Sequence, residues 1–215
     1  MKKQIFNLLI LDKSGSMISI KDATIAGYNE TIQTIKKAQK EYGETQEHFF
    51  SFMAFCQCNK TMIYDKTPIE MANILTPETY QPCCGTPLYD AMGFSLTKLR
   101  EDLKDKREYK VLVTIITDGY ENASREYNAA AISKLVEELK KEGWTFAYIG
   151  ANQDVEKVAA TISINNYVSY NANADSTKAM FQREGKSRER YFERVSKNES
   201  DESLQSNYFN EEENK

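Results

Sequence analysis

The chain has 215 residues, 40% of them hydrophobic, and a formal net charge of -4, which suffices for one packed domain and is short for two. The acidic balance excludes a surface built to track phosphates, which demands a dense basic patch, so no nucleic-acid partner is expected. No run approaches the roughly 18 apolar residues of a membrane span, and the apolar stretch after Lys3 contains Asn7, ends in Asp12 and lacks the cleavage site of a signal peptide, so a cytoplasmic protein without a membrane partner is expected.

Ile5 to Leu11 is short and almost continuously apolar, which predicts a strand in the middle of a sheet. Ile25, Tyr28, Ile32 and Ile35 recur at helical spacing and predict an amphipathic helix that ends before Gly43. Phe49 to Cys56 and Thr61 to Tyr64 are β-rich runs too close together for a helical crossover, so they predict an antiparallel hairpin whose second strand is the sheet edge. A loop carrying Pro68, Pro77 and Pro82 follows, and after Pro87 comes a helix whose buried stripe is Leu88, Ala91, Met92, Leu96, Leu99 and Leu103.

Val111 to Thr117 is a further buried strand ending in Asp118-Gly119, and Ile132, Leu135, Val136 and Leu139 mark the inner face of a helix that Gly143 closes as a C-cap. Trp144 to Ile149 predicts a fifth strand, Val155 to Ile162 a short helix, and Tyr167 to Ser169 a last short strand. Strands alternating with helices predict an α/β chain, a Rossmann-like three-layer α/β/α sandwich built on a mostly parallel sheet with one antiparallel edge strand. This domain is placed at residues 1–175, a polar helix at 176–196 and a mobile acidic tail at 197–215, because the last stretch has too few apolar residues to offset its ordering entropy. In the polar helix Lys186, Arg188, Arg190 and Arg194 interleave with Glu184, Glu189 and Glu193, the pattern of a salt-bridged solvent face.

Cys56-Gln57-Cys58 and Cys83-Cys84 fit neither a spaced disulfide framework nor the C-x-x-C pairs of a zinc site. Free thiols are expected, and the spacing counts against a metal site drawn from both pairs. His48 is the only histidine, which removes most hydrolytic triads. Trp144 reads as a packing residue, and Asn152, Gln153 and Asp154 either rim a site or cap the next helix.

Ligands of an open parallel sheet bind at the carboxyl ends of its strands. Three polar clusters fall there: Asp12-Lys13-Ser14-Gly15-Ser16 after the first strand, Gly85-Thr86-Pro87 before a helix, and Asp118-Gly119. Asp12, Ser14, Ser16, Thr86 and Asp118 are hard oxygen donors, with Gly15 allowing a bend that turns both serine hydroxyls inward. Such a set suits Mg²⁺, with Mn²⁺ or Ca²⁺ as substitutes, and two carboxylates with three neutral hydroxyls leave the ion a free position for another anion. A protein partner that presents an Asp or Glu fits that position. Read singly, these residues are also common N-caps and turn formers.

At these residues the chain resembles von Willebrand factor A domains with an intact metal-ion-dependent adhesion site. Asp12, Ser14 and Ser16 match the first loop of that site, Thr86 the second and Asp118 the third, and Gly85 to Ala91 and Thr117 to Ser124 look like a bacterial cytoplasmic subgroup. The resemblance covers most of residues 4 to 170. It implies the strand order 3-2-1-4-5-6 and binding of partner proteins rather than catalysis. Asp90 could support the metal shell or complement its helix dipole, and Gly119, Glu121 and Asn122 could shape the third loop, contact a partner or be merely solvated. The alternatives are a Mg²⁺-dependent phosphoryl hydrolase with Asp12 as nucleophile, which lacks a second acidic residue at position 14, and a structural domain with a vestigial site.

Overall fold

A computed structural model describes residues 2–209. Its element order is β1 (Lys3–Asp12), α1 (Lys21–Glu41), β2 (Gln46–Cys56), β3 (Asn59–Pro68), α2 (Leu88–Leu103), β4 (Tyr109–Thr117), α3 (Ala129–Lys141), β5 (Trp144–Ala151), α4 (Val155–Thr161), β6 (Tyr167–Tyr170), α5 (Ala174–Ser196) and α6 (Asp201–Gln205). The strands form one sheet in the order β3-β2-β1-β4-β5-β6. All neighbours are parallel except β2 and β3, the expected antiparallel edge.

β1 and β4 are buried and mainly apolar through their middles because both sheet faces are covered. On one face Ile5, Leu9, Leu11, Leu112 and Ile116 pack with Tyr28, Ile32 and Ile35 of α1 and with Met180, Phe181 and Phe192 of α5. On the other, Leu8, Ile10, Val113 and Ile115 pack with Leu88, Leu96 and Leu99 of α2, Ile132 and Val136 of α3, and Val155 and Ala159 of α4. Gly143 has φ 86°, the left-handed conformation that the C-cap of α3 requires. No helix among the described residues is long and apolar enough to cross a membrane.

Two sequence expectations fail at the C-terminal end. Arg188 and Glu184 are not on a solvent face: both are buried beneath α5, where Arg188 Nη2 lies 2.6 Å from Glu184 Oε1. Arg188 also donates to Asn7 Oδ1 at 3.1 Å and Thr114 Oγ1 at 2.8 Å, so its donors are met by the sheet itself. The alternating charge pattern conceals this, because an i,i+4 pair reads alike whether it faces water or core.

Nor is the segment after Lys197 a mobile tail as far as Phe209. Ser200 caps α6, and Leu204, Tyr208 and Phe209 are buried in the core on the α5 side of the sheet. Asn166 ties it to the sheet edge, donating to the Gln205 carbonyl at 2.8 Å and accepting from Tyr208 N at 3.1 Å. Three well-placed apolar side chains anchor a stretch whose average composition reads as disordered. Residues 210–215 of the expected tail lie outside the described residues.

Candidate metal site

β1 lies between β2 and β4, so the chain crosses in opposite directions from it and a crevice opens at the carboxyl ends of β1 and β4. Asp12 is the last residue of β1 and Asp118 follows β4 directly, which puts both buried carboxylates on that crevice. Asp12 is held on three sides. Ser14 N donates to its Oδ1 at 2.7 Å, Thr117 Oγ1 donates to its Oδ2 at 2.7 Å, and the buried Tyr80 hydroxyl donates to its carbonyl at 2.5 Å.

The tight turn at Ser14 passes into a 3-10 turn, Gly15–Ile20, that aims both serine hydroxyls at the crevice. Ser14 Oγ and Ser16 Oγ are 3.1 Å apart, and Ser16 Oγ donates to Asp118 Oδ1 at 2.5 Å. Gly15 is not needed for this bend: its φ is not positive, and a Cβ there would rest 3.5 Å from the Cys84 carbonyl oxygen in ordinary contact.

The second loop reaches the others through Asn122. Thr86 N donates to Asn122 Oδ1 at 2.8 Å and Asn122 N donates to the Thr86 carbonyl at 3.1 Å. Gly85 permits the approach, since a Cβ on it would fall 2.8 Å from Asn122 Oδ1. A Cβ on Gly119 would lie 3.6 Å from Ser16 Oγ and 4.0 Å from Thr86 Oγ1, so the hydroxyls of the first and second loops flank the same point of the third. The five sequence-predicted donors, Asp12, Ser14, Ser16, Thr86 and Asp118, therefore converge on one crevice.

The surrounding candidates support the loops. The buried Asp90 carboxylate accepts from the backbone N–H groups of Arg125, Glu126 and Tyr127 and fixes the segment after the third loop. Glu121 accepts from Tyr89 N at 2.9 Å, from Ala123 N at 2.8 Å and from Ser124 N at 2.7 Å, which joins that segment to the start of α2. Sequence reasoning assigned no role to Thr117 or Tyr80, which position Asp12. For the Asn152–Asp154 loop it favoured helix capping over rimming the site, which holds for Asp154, the cap of α4, whereas Asn152 reaches the site and donates to the Asp118 carbonyl at 3.1 Å. The position of Thr117 beside Asp118 was a usable signal; Tyr80, inside the proline-bearing loop, gave none.

Burial pushes the Asp12 carboxyl up to about 6, with the bonds from Thr117 and Ser14 opposing and the Asp118 charge adding. Burial raises Asp118 as well, against the Ser16 bond. No ion pair joins either aspartate to a Lys or Arg among the described residues, and Asp118 Oδ2 is buried without a hydrogen-bond partner. Two carboxylates, one of them with an unpaired buried oxygen, and three hydroxyls fit a hard divalent cation.

The Cys56, Cys58, Cys83 and Cys84 segments adjoin this crevice, and Cys58 is disulfide-bonded to Cys84. This overturns the expectation of four free thiols: a separation of 26 residues that looked unrelated in sequence is closed by the β2–β3 turn and the loop before Thr86.

No family model and no curated protein sequence matches the chain. Solved structures do. A D319A mutant of the PilB minor pilin from Streptococcus sanguinis matches with TM-score 0.62 at 15% identity, covering 91% of this chain and 64% of that one; the chain thus spans under two thirds of that pilin. The manganese-loaded TRAP protein of Plasmodium vivax matches with TM-score 0.51 at 15% identity, over 83% of this chain and 72% of that one. The vWF domain of the type V pili tip protein Mfa5 from Porphyromonas gingivalis matches with TM-score 0.53 at 10% identity, over 85% of this chain and 95% of that one. The fold is that of a von Willebrand factor A domain.

Proposed function

Starting from a von Willebrand factor A fold, we propose that the chain is a non-catalytic protein-interaction module in which Asp12, Ser14, Ser16, Thr86 and Asp118 hold one divalent cation, Mg²⁺ in the cell, to capture a carboxylate of a partner protein. The observation that carries this reading is the buried, cation-free pair Asp12 and Asp118 at the switch crevice, with Asp118 Oδ2 unpaired. An ion held by two carboxylates and neutral hydroxyls keeps net positive charge and an affinity for one more anionic oxygen. The chain supplies the rest. Thr117 and Ser14 fix the Asp12 carboxylate before any ligand arrives, Tyr80 fixes its backbone carbonyl, and Asn122 fixes Thr86, so little ordering is left for the binding step.

The manganese-loaded state of the TRAP neighbour supports a divalent cation at this kind of fold. All five donors are oxygens, which favours Mg²⁺ over softer ions. Calorimetric titration of Mg²⁺ into the chelator-stripped chain tests the reading. Heat of binding should appear in the native chain and vanish in Asp12→Ala and Thr86→Ala with circular dichroism unchanged, and chelator should release captured partners from a native lysate. Ion binding that persists unaltered in both variants would overturn it.

A further inference from the structure

We propose that Cys56, Cys58, Cys83 and Cys84 form a second metal site, a thiolate cluster for an ion of the zinc class, whose oxidised and metal-free form contains the Cys58–Cys84 disulfide. The sulfurs come from two segments far apart in sequence, the end of β2 with its turn and the loop before Thr86. The Sγ atoms of Cys58, Cys83 and Cys84 all lie within 4.8 Å of one another. Cys56 Sγ is 3.0 Å from Cys83 Sγ. A tetrahedral thiolate site with metal–sulfur bonds of about 2.3 Å sets its sulfurs roughly 3.8 Å apart, a spacing near that of the Cys58, Cys83 and Cys84 sulfurs, with Cys56 reaching the cluster through Cys83.

Two independent disulfides would need only pairwise contact. Instead Cys83 is close to Cys56 and also to both members of the bonded pair, which makes it the hub of a single cluster. The main chain holds both segments in place: Gln57 N donates to the Gly85 carbonyl at 2.8 Å, Cys83 N to the Lys13 carbonyl at 2.8 Å, and Gly15 N to the Cys84 carbonyl at 3.0 Å. Cys58 and Cys84 are exposed and Cys83 half-buried, so an ion has an open path, while the buried Cys56 closes the inner side. Donor softness separates this site from the oxygen site that begins at Thr86: thiolates select a thiophilic ion, whereas hydroxyls and carboxylates select a hard one.

The chemistry balances in two steps. A dithiol reductant gives two electrons and two protons to the Cys58–Cys84 bond, becoming a disulfide itself and leaving two protein thiols. Each thiol that then ligates the ion releases its proton to solvent.

The test uses the full chain, reduced with a dithiol without oxygen, freed of reductant and titrated with Co²⁺ as a spectroscopic stand-in. One equivalent should produce a thiolate-to-cobalt charge-transfer absorption that Zn²⁺ abolishes. The oxidised chain should give none. The band should be lost in Cys58→Ser and Cys84→Ser and retained in Asp12→Ala, which distinguishes this site from the oxygen site. No charge transfer in the reduced chain, or an undiminished band in the Cys58→Ser/Cys84→Ser double variant, overturns the proposal. Should the serine variants misfold, the unmutated reduced chain decides: stoichiometric Zn²⁺ shielding three or four cysteines from alkylation supports the site, and shielding of fewer rejects it.

Discussion

Two groups of buried charge sit within one domain and are neutralised by different means. Beneath α5, Glu184 and Arg188 bring their own opposite charges, and Asn7, Thr114 and Tyr208 supply hydrogen bonds around them. At the carboxyl edge of the sheet, the donors to Asp12 and Asp118 among the described residues are hydroxyls and backbone N–H groups. Each cluster leaves one carboxylate oxygen unpaired, Glu184 Oε2 and Asp118 Oδ2, yet the first carboxylate has a guanidinium beside it and the second has no ion-pair partner among the described residues. The difference teaches where a ligand belongs. A cluster that balances its charge internally is part of the scaffold, and one that does not is where the proposed ion would belong.

Breaking the internal pair should produce the largest effect. Glu184→Gln strands the Arg188 guanidinium in the core, which costs about 3–5 kcal/mol by the usual behaviour of half-removed buried pairs. Urea unfolding measures the loss, and Mg²⁺ should leave the difference between the variant and the native chain unchanged. An undiminished midpoint would show that water reaches Arg188 and that the pair is not part of the core.

The same side of the molecule carries a pH-dependent term. Burial, reinforced by the Arg188 charge, holds the His48 imidazole at about 3 against its ordinary 6.5. Its neighbours are Gln46 Oε1 at 3.0 Å and the edge-on Phe192 ring at 4.6 Å, neither of which stabilises an imidazolium as a carboxylate would. Between pH 6.5 and about 3 the unfolded chain therefore binds a proton that the folded chain refuses. Stability is fully present above pH 6.5 and falls as pH drops through that window, by a few kcal/mol at roughly 1.4 kcal/mol per pKa unit. His48→Gln should flatten the slope of urea-unfolding free energy against pH. An unchanged slope assigns the loss to other groups.

How much of this was legible in the sequence follows from the same distinction. β1, β4 and β5 announce themselves because burial on both faces leaves their middles largely apolar, and the five donors announce themselves because each falls at a strand end or a helix start. What stayed hidden depends on partners distant in the chain. Arg188 finds Asn7 across 181 positions and Cys58 finds Cys84 across 26, and neither residue type nor local spacing marks either meeting. Leu204, Tyr208 and Phe209 were missed for a related reason: the surface that receives them is made by α5 and the β5 side of the sheet rather than by their own segment.

At the proposed ion site the effects should be smaller and tied to ions. Mg²⁺ at a hundredfold excess over its dissociation constant stabilises a folded site by about 2.7 kcal/mol, so adding chelator should lower the melting temperature of the native chain. Asp118→Ala should not respond, because the carboxylate with the unpaired oxygen is gone. An equal response in the variant would move the ion to another place on the molecule.

The smallest effect should come from Asn122, which touches no proposed donor atom directly but joins the second loop to the third. Asn122→Ala removes the acceptor of Thr86 N while leaving the backbone bond from Asn122 N to Thr86 in place. The cost in stability is that of one partly buried hydrogen bond, about 1 kcal/mol. If Thr86 owes its position to this bond, Mg²⁺ affinity should drop severalfold while the Asp12–Thr117 and Ser16–Asp118 contacts remain, so calorimetry should still detect binding. Gly85→Ala offers an independent route to the same disturbance, since its Cβ would press on Asn122 Oδ1. Equal losses in the two variants, with no further loss on combining them, would locate the coupling in the Thr86–Asn122 link; additive losses would mean that each acts through a different contact.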